Sequence, residues 1–170
     1  MPSAVFPSFL EELEARTAIE DCLKRFARAV DRQDWKAARE AYHDGAWDDH
    51  GFFKGPPDAF LAHIEKLHAD QQHSMHFNTN VLIEFHSKER AFVETYVLVL
   101  QRFADRRVTA SARYLDLFEK RNDQWRVARR TLVFGDLAPE TLSEPVKFPP
   151  EFTVQKHDMT DALYSMRKQR

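Results

Sequence analysis

Two residues far apart in the chain could form a proton-transferring pair: Asp31, in "ARAVDRQDW", and His76, in "SMHFNTNVLIEF". A carboxylate bonded to one imidazole nitrogen fixes the ring's tautomer and stabilises its cationic form, so the other nitrogen works as a base. Asp31 lies four positions after Ala27 and eight after Leu23, so on a continuing helix it sits close to the apolar stripe. A carboxylate there is costly unless it is paired or hydrogen-bonded. The spacing alone is also met by a plain helix-end residue that faces solvent or caps a following helix. His76 likewise has three readings: structural residue, metal ligand or base. His63, His68, His73 and His76 are irregularly spaced for a structural zinc site and Cys22 is remote in sequence, so no metal site is assigned. His73 reads as a surface-loop histidine, and His43 and His86 have no motif context.

The elements that must position the pair follow from periodicity. "SFLEELEARTAIEDCLKRFARAVDRQDW" reads as a helix, with Ser8 and Glu11 at capping-box spacing and Ile19, Cys22, Leu23, Phe26 and Val30 as its buried stripe. "DWKAAREAYH" reads as a short second helix capped by Asp34. "AWDDHGFFKGPP" suggests a short strand and a Gly-Pro turn, and "PPDAFLAHIEKLHAD" a third helix capped by Asp58 with Phe60, Ile64 and Leu67 on one side. Four strand candidates follow, at 75–86, 90–103, 107–120 and 124–134, separated by the turn signals "HSKER", "ADRR" and "KRNDQ". Residues 1–135 form the domain, and 136–170, with "APETLSEPVKFPPEF", read as a Pro-rich extended tail over its surface or an oligomer contact.

Helices first and strands afterwards predict an α+β fold: a curved antiparallel or mixed sheet, cone-shaped, folded around the N-terminal helices. In "VTASARYLDLF", Ala110, Ala112 and Tyr114 share a face; small side chains there leave room for a ligand or accept a packing helix. Arg129 and Arg130 face opposite sides, and Arg130 shares its face with Ala128, Leu132 and Phe134, which makes it the pocket candidate.

Composition removes several function classes. The 170 residues fit one domain with a real core. Lys and Arg number 25 against 27 Asp and Glu, for a formal charge of −2, so neither nucleic acid nor an anionic membrane is an expected partner. A single cysteine forbids an internal disulfide and fits a reducing cytoplasm. "MPSAVFPSFL" lacks the basic and long apolar regions of a secretory signal, and "YVLVL" is too short to span a bilayer. Four glycines form no phosphate loop or dinucleotide fingerprint, and no cofactor is expected. "FVETYVLVL" is apolar on both faces, which predicts a homo-oligomer, dimer or trimer, on the exposed sheet face.

In order and at these separations, "ARAVDRQDW", "YHDGAWDDHGFFKGP", "SMHFNTNVLIEF" and "RYLDLFEKRNDQWRVARRTLV" resemble the SnoaL-like branch of the nuclear-transport-factor-2-like, cystatin-like superfamily. The resemblance covers about residues 10–135 and implies the α+β cone. The branch includes scytalone dehydratase, hexachlorocyclohexane dehydrochlorinase and bile acid dehydratase. It implies Asp31 and His76 as the catalytic pair. His50 stands where the dehydratases carry a Tyr, Arg130 where the dehydrochlorinase carries an Arg, and Phe26 where that enzyme carries a Lys. The replacements at His50 and Phe26 point away from those enzymes' own substrates. Phe26, His50, Ala112, Tyr114 and Arg130 are thus the expected substrate-binding residues, with Tyr114 offering a hydrogen bond from the sheet. Two classes of function follow: a cofactor-independent lyase acting on a hydrophobic, cyclic small molecule, with isomerase or cyclase as its neighbours, or a non-catalytic binding or assembly module such as a ring-hydroxylating dioxygenase β subunit.

Overall fold

A computed structural model describes residues 5–142 and 148–168. The first helix, α1 (Phe9–Asp31), starts where the Ser8 hydroxyl accepts the Glu11 N–H at 3.2 Å. Its buried stripe runs through Ala15, Ile19, Cys22, Leu23, Phe26 and Val30 and ends on Asp31 itself. Gln33, at φ 51, turns the chain, and the Asp34 carboxylate caps α2 (Trp35–Arg39) by accepting the Ala37 N–H at 3.1 Å. Strands β1 (Tyr42–Asp49) and β2 (Lys54–Gly55) follow, then α3 (Pro57–Leu67).

Two local expectations are corrected here. Strand β1 begins at Tyr42, inside the stretch expected to finish the second helix, because it pairs in parallel with the last strand through Tyr42 and Val127. Asp58 does not cap α3; Pro57 opens that helix with its pre-set φ, and the Asp58 carboxylate instead accepts from Arg39 at 2.9 Å.

Four long strands complete the sheet: β3 (His73–Ser87), β4 (Arg90–Arg102), β5 (Arg106–Arg121) and β6 (Gln124–Thr141). The order is β2-β1-β6-β5-β4-β3, antiparallel except for the β1–β6 pair. Helix α1 packs against β3 and β6, giving an α+β cone with helices inside a curved mixed sheet. One end of the cone is solid: Ile19, Leu23, Val93, Phe118, Trp125 and Val127 are buried together. The other end, around Val97, Ala112 and Leu132, encloses a cavity.

The expected boundary at Gly135 also moves. Strand β6 continues to Thr141, pairing Leu137 with Ala110 and Thr141 with Arg106. Gly135 is skipped in the pairing, and a Cβ there would lie 2.9 Å from the Ser111 Oγ and 3.2 Å from the Ser111 carbonyl oxygen. The glycine marks a bulge, where backbones approach closely, rather than a strand end. Pro139 is tolerated because β1 pairs with β6 only as far as Thr131, so beyond that point β6 is an edge strand with no ladder bond to lose on that side.

Part of the expected tail, 143–147, lies outside the described residues. The described remainder folds back on its own domain: the Gln155 amide donates to the Ser74 carbonyl at 2.8 Å, and Asp161 caps a helix, α4 (Ala162–Arg167), that periodicity did not announce. Gly135→Val is expected to cost about 1–3 kcal/mol through crowding against Ser111. Urea denaturation checks this, and an unchanged midpoint would show that the bulge does not need the glycine.

Candidate active site

Asp31 is 6% exposed, so the solvent-facing reading of the helix end does not hold. Strand β3 enters alongside, with Ser74 and His76 on the same face of the strand, both turned toward the end of α1. The Asp31 carboxylate accepts three bonds there: from the His76 Nδ1 at 2.6 Å, from the His76 backbone N–H at 2.9 Å and from the Ser74 hydroxyl at 2.9 Å. Burial pushes the Asp31 carboxyl up, but the bonds from His76 and Ser74 outweigh it and hold the group below its ordinary range. With Nδ1 committed to Asp31, Nε2 is the free ring nitrogen of His76, and His76 lines the cavity.

The pair is fastened from behind. The His157 Nδ1 donates to the Asp31 carbonyl at 2.8 Å, and Arg32 approaches Asp161 at 3.4 Å. The Gln33 amide, on the left-handed turn, donates to the His68 carbonyl at 3.0 Å and so ties α1 to the end of α3. Burial, with His76 and His157 close by, pushes the His68 imidazole down to about 4, which keeps that ring neutral at neutral pH.

The cavity has a volume of about 380 Å³. Phe26 and Val30 of α1, Phe60, Leu61 and Ile64 of α3, and Val97, Val99, Ala110, Ala112, Leu132 and Phe134 of the sheet give it apolar walls. Ala110 and Ala112 open the space, as their size suggested. The polar groups on its wall are His50, His68, Gln71, His76, Gln101 and Tyr114. Burial raises the Tyr114 phenol to about 12, so it serves as a neutral hydroxyl. A larger cavity of about 490 Å³ lies between α1, α2 and α4; it is lined by mixed charges such as Arg25, Arg28, Asp34 and Glu40 and holds neither Asp31 nor His76.

Of the expected site residues, Phe26, His50, His76, Ala112 and Tyr114 line the one cavity, and Asp31 stands directly behind His76. Arg130 departs from its expectation. It is 1% exposed and does not line the cavity. Asp116 sits opposite it on β5, and the guanidinium forms a two-pronged pair with that carboxylate, Nε to Oδ1 at 2.8 Å and Nη2 to Oδ2 at 2.7 Å. The rings of Tyr114, at 3.9 Å, and Phe26, at 4.7 Å, cover its charge.

The sequence reading missed a second carboxylate–imidazole pair. The His50 Nδ1 bonds the Asp48 Oδ1 at very short range, and the Tyr42 hydroxyl donates to the Asp48 Oδ2 at 2.6 Å. The Arg130 Nη1 reaches the Tyr42 oxygen at 3.5 Å, linking this pair to Asp116. Asp48 and His50 are two positions apart near the end of β1, and that spacing on a strand carries the signal. Tyr42 gave none, because a register shift between Tyr42 and Trp47 brings it onto Asp48. His157, more than a hundred residues from Asp31, gave none either.

A family model described as a SnoaL-like domain matches residues 11–131, which include Asp31, His50, His76 and Arg130. The chain belongs to the SnoaL-like family. Among curated SnoaL-like relatives, the gamma-hexachlorocyclohexane dehydrochlorinase of Sphingobium indicum is 28% identical over 137 residues, 78% of this chain and 88% of that protein. Solved structures share the fold. A hexachlorocyclohexane dehydrochlorinase of type 3 from Novosphingobium barchaimii superposes with a TM-score of 0.73 at 22% identity, over 84% of this chain and 100% of its own. A candidate scytalone dehydratase from Novosphingobium aromaticivorans gives 0.71 at 19% identity, over 85% and 99%.

The neutral, buried His68 has a consequence for stability. Its folded value, about 4, lies below the ordinary 6.5, so between those limits the unfolded chain binds more protons than the folded one. The stability this group contributes is present above pH 6.5 and is lost as pH falls toward 4, a difference of about 3 kcal/mol. His68→Gln is expected to flatten the fall of the urea midpoint across that window; an unaltered slope would show that His68 does not drive it.

Proposed function

We propose that the cavity is the active site of a cofactor-independent lyase that eliminates a leaving group from a hydrophobic, ring-bearing small molecule. The observation that carries this reading is the 2.6 Å contact between the His76 Nδ1 and a buried Asp31, with the opposite nitrogen of the ring left to an apolar cavity. Seating the helix end would be use enough for these bonds in a binding module of the same fold; what favours catalysis is that the imidazole they hold also lines the apolar cavity. The dehydrochlorinase among the relatives supports an elimination over other uses of the base.

The proposed step balances simply. The His76 Nε2 takes a proton from a carbon next to an electron-withdrawing group. The C–H electrons form the double bond, and the leaving group departs from the neighbouring carbon with its electron pair. Asp31 stabilises the imidazolium that results and keeps the ring in the right tautomer. The Tyr114 hydroxyl, on the cavity wall and held neutral, serves the oxygen on which charge develops. Arg130, shielded behind Tyr114 and Phe26, acts only through its field and by fixing those rings. Apolar walls strengthen every one of these interactions by excluding water. The same reading includes self-association through the outer sheet face, where Tyr96, at 45% exposure, and Leu98, at 38%, stand uncovered; light scattering that finds only monomer at micromolar concentration contradicts it.

A panel of cyclic ketones carrying a β-hydroxyl or β-halide tests the activity through the absorbance of the enone formed. His76→Ala is expected to lower turnover by about 10²–10⁴, measured well below its melting temperature, which falls because Asp31 loses its imidazole partner. Asp31→Asn is expected to cost as much or less, and the double variant little more than His76→Ala, because the two residues act as one unit. Near-normal turnover by a folded His76→Ala protein would end the assignment.

A further inference from the structure

The second pair, His50 with Asp48, faces the same cavity from another wall, and its surroundings differ from those of His76. Packed around it are Tyr42 and Asp48 of β1, Tyr114 and Asp116 of β5, Arg130 of β6, Phe26 of α1 and Phe60 of α3. The fixed charges among these are two carboxylates and one guanidinium. Asp48 and Asp116 are 0% exposed and Arg130 is 1% exposed. Arg130 gives both prongs to Asp116. Asp48 receives a neutral O–H from Tyr42 and, among the described residues, is left with one cation-forming neighbour in direct contact, His50. Asp31 accepts from two neutral donors besides its imidazole, the Ser74 hydroxyl and the His76 backbone N–H, whereas Asp48 accepts from one, the Tyr42 hydroxyl, so Asp48 is the carboxylate whose network closes electrically when its imidazole, His50, carries two protons. One N–H then serves Asp48. The other, at Nε2, remains for the cavity, which His50 lines while its ring stacks on Phe60 at 4.2 Å.

We propose that His50 is the general acid of the reaction, with Asp48 its positioning residue, and that the substrate therefore loses an oxygen leaving group. This rests on the reading of His76 as the base and specifies its substrate class: a β-hydroxy carbonyl compound or a comparably activated hydroxylated ring. Chloride departs as a stable anion and needs no proton. Hydroxide is a poor leaving group unless a proton reaches it in the transition state. In the balanced step the His76 Nε2 gains the carbon-bound proton, the C–O bond breaks, and the His50 Nε2–H bond supplies the proton that makes the product water. Exchange with solvent then takes a proton from His76 and returns one to His50.

Two arms test the proposal. The first needs no substrate. Nitrogen-15 spectra of the histidine rings at neutral pH, with His50 assigned by loss of its signals in His50→Gln, are expected to show both ring nitrogens protonated, and Asp48→Asn is expected to convert the ring to a neutral tautomer. A neutral His50 in the wild-type protein overturns the proposal. The second arm compares two ketones that differ only in leaving group, 4-hydroxy-4-phenylbutan-2-one and its p-nitrophenyl ether, both of which yield benzalacetone. His50→Gln is expected to slow the first by about 10²–10⁴ more than it slows the second, because p-nitrophenolate leaves unaided. His76→Ala is expected to abolish both. Equal losses in His50→Gln, or wild-type protein that expels p-nitrophenolate but not hydroxide, overturn the acid role while leaving the base standing. Retention of both activities in His76→Ala sinks the base reading alone. Should neither ketone react, the nitrogen spectra decide.

Discussion

The structure turns on one buried carboxylate. Asp31 ends α1 on the apolar side of the helix, where an unpartnered charge is prohibitively costly. Its oxygens are satisfied by His76 and Ser74, so β3 can only enter the sheet with those two residues facing inward. That fixes the register of β3 against β4, and through β4 and β5 the wall of the cavity. The same bonds that make the helix end tolerable leave Nε2 of His76 outside the pair, on a residue that lines the cavity. Stability and chemistry are thus served by a single contact, and the described C-terminal segment reinforces it through His157 and Gln155.

A second electrostatic unit stands across the cavity. Buried ion pairs add little net stability, because desolvation offsets their attraction, but losing one partner is expensive. The Asp116–Arg130 pair is therefore better understood as a fixture than as a stabilising device. It holds Tyr42, Asp48 and, by stacking, Tyr114 in set positions. The phenols of Tyr42 and Tyr114 are raised by burial and remain neutral donors beside it. The two units differ in their free charges. Asp31 sits close to the neutral rings of His68 and His157, with burial lowering both, whereas Asp48 shares its surroundings with a second carboxylate and an arginine. On the proposed reading, that difference sets an acid apart from a base within one apolar pocket.

Much of this was legible in the sequence. The stripe of α1, the caps at Ser8 and Asp34 and the four long strands are all statements about periodicity and local hydrogen bonding, which one chain displays openly. The Asp31–His76 contact needed more: position beside the stripe made Asp31 suspicious, and family resemblance supplied its partner. The failures have physical causes. Gly135 and Pro139 look like a strand's end, yet a bulge and an unpaired edge accommodate both. Arg130 looked like a pocket residue because face alternation says which side a residue takes, not how deep its charge lies once Asp116 claims it. Tyr42 and His157 reach their partners through a register shift and a returning tail, and neither leaves a local trace.

The central claim is that His76, backed by Asp31, removes a proton from carbon. The most direct measurement bypasses the leaving group altogether. A cyclic ketone that cannot eliminate, such as α-tetralone, is incubated with the protein in deuterated buffer, and exchange of its α-hydrogens is followed by proton NMR. Exchange well above the buffer rate is expected with the wild-type protein, and the buffer rate with His76→Ala. Exchange that His76→Ala leaves undiminished, or wild-type protein that never exceeds buffer with any ketone shown to bind, would contradict the claim.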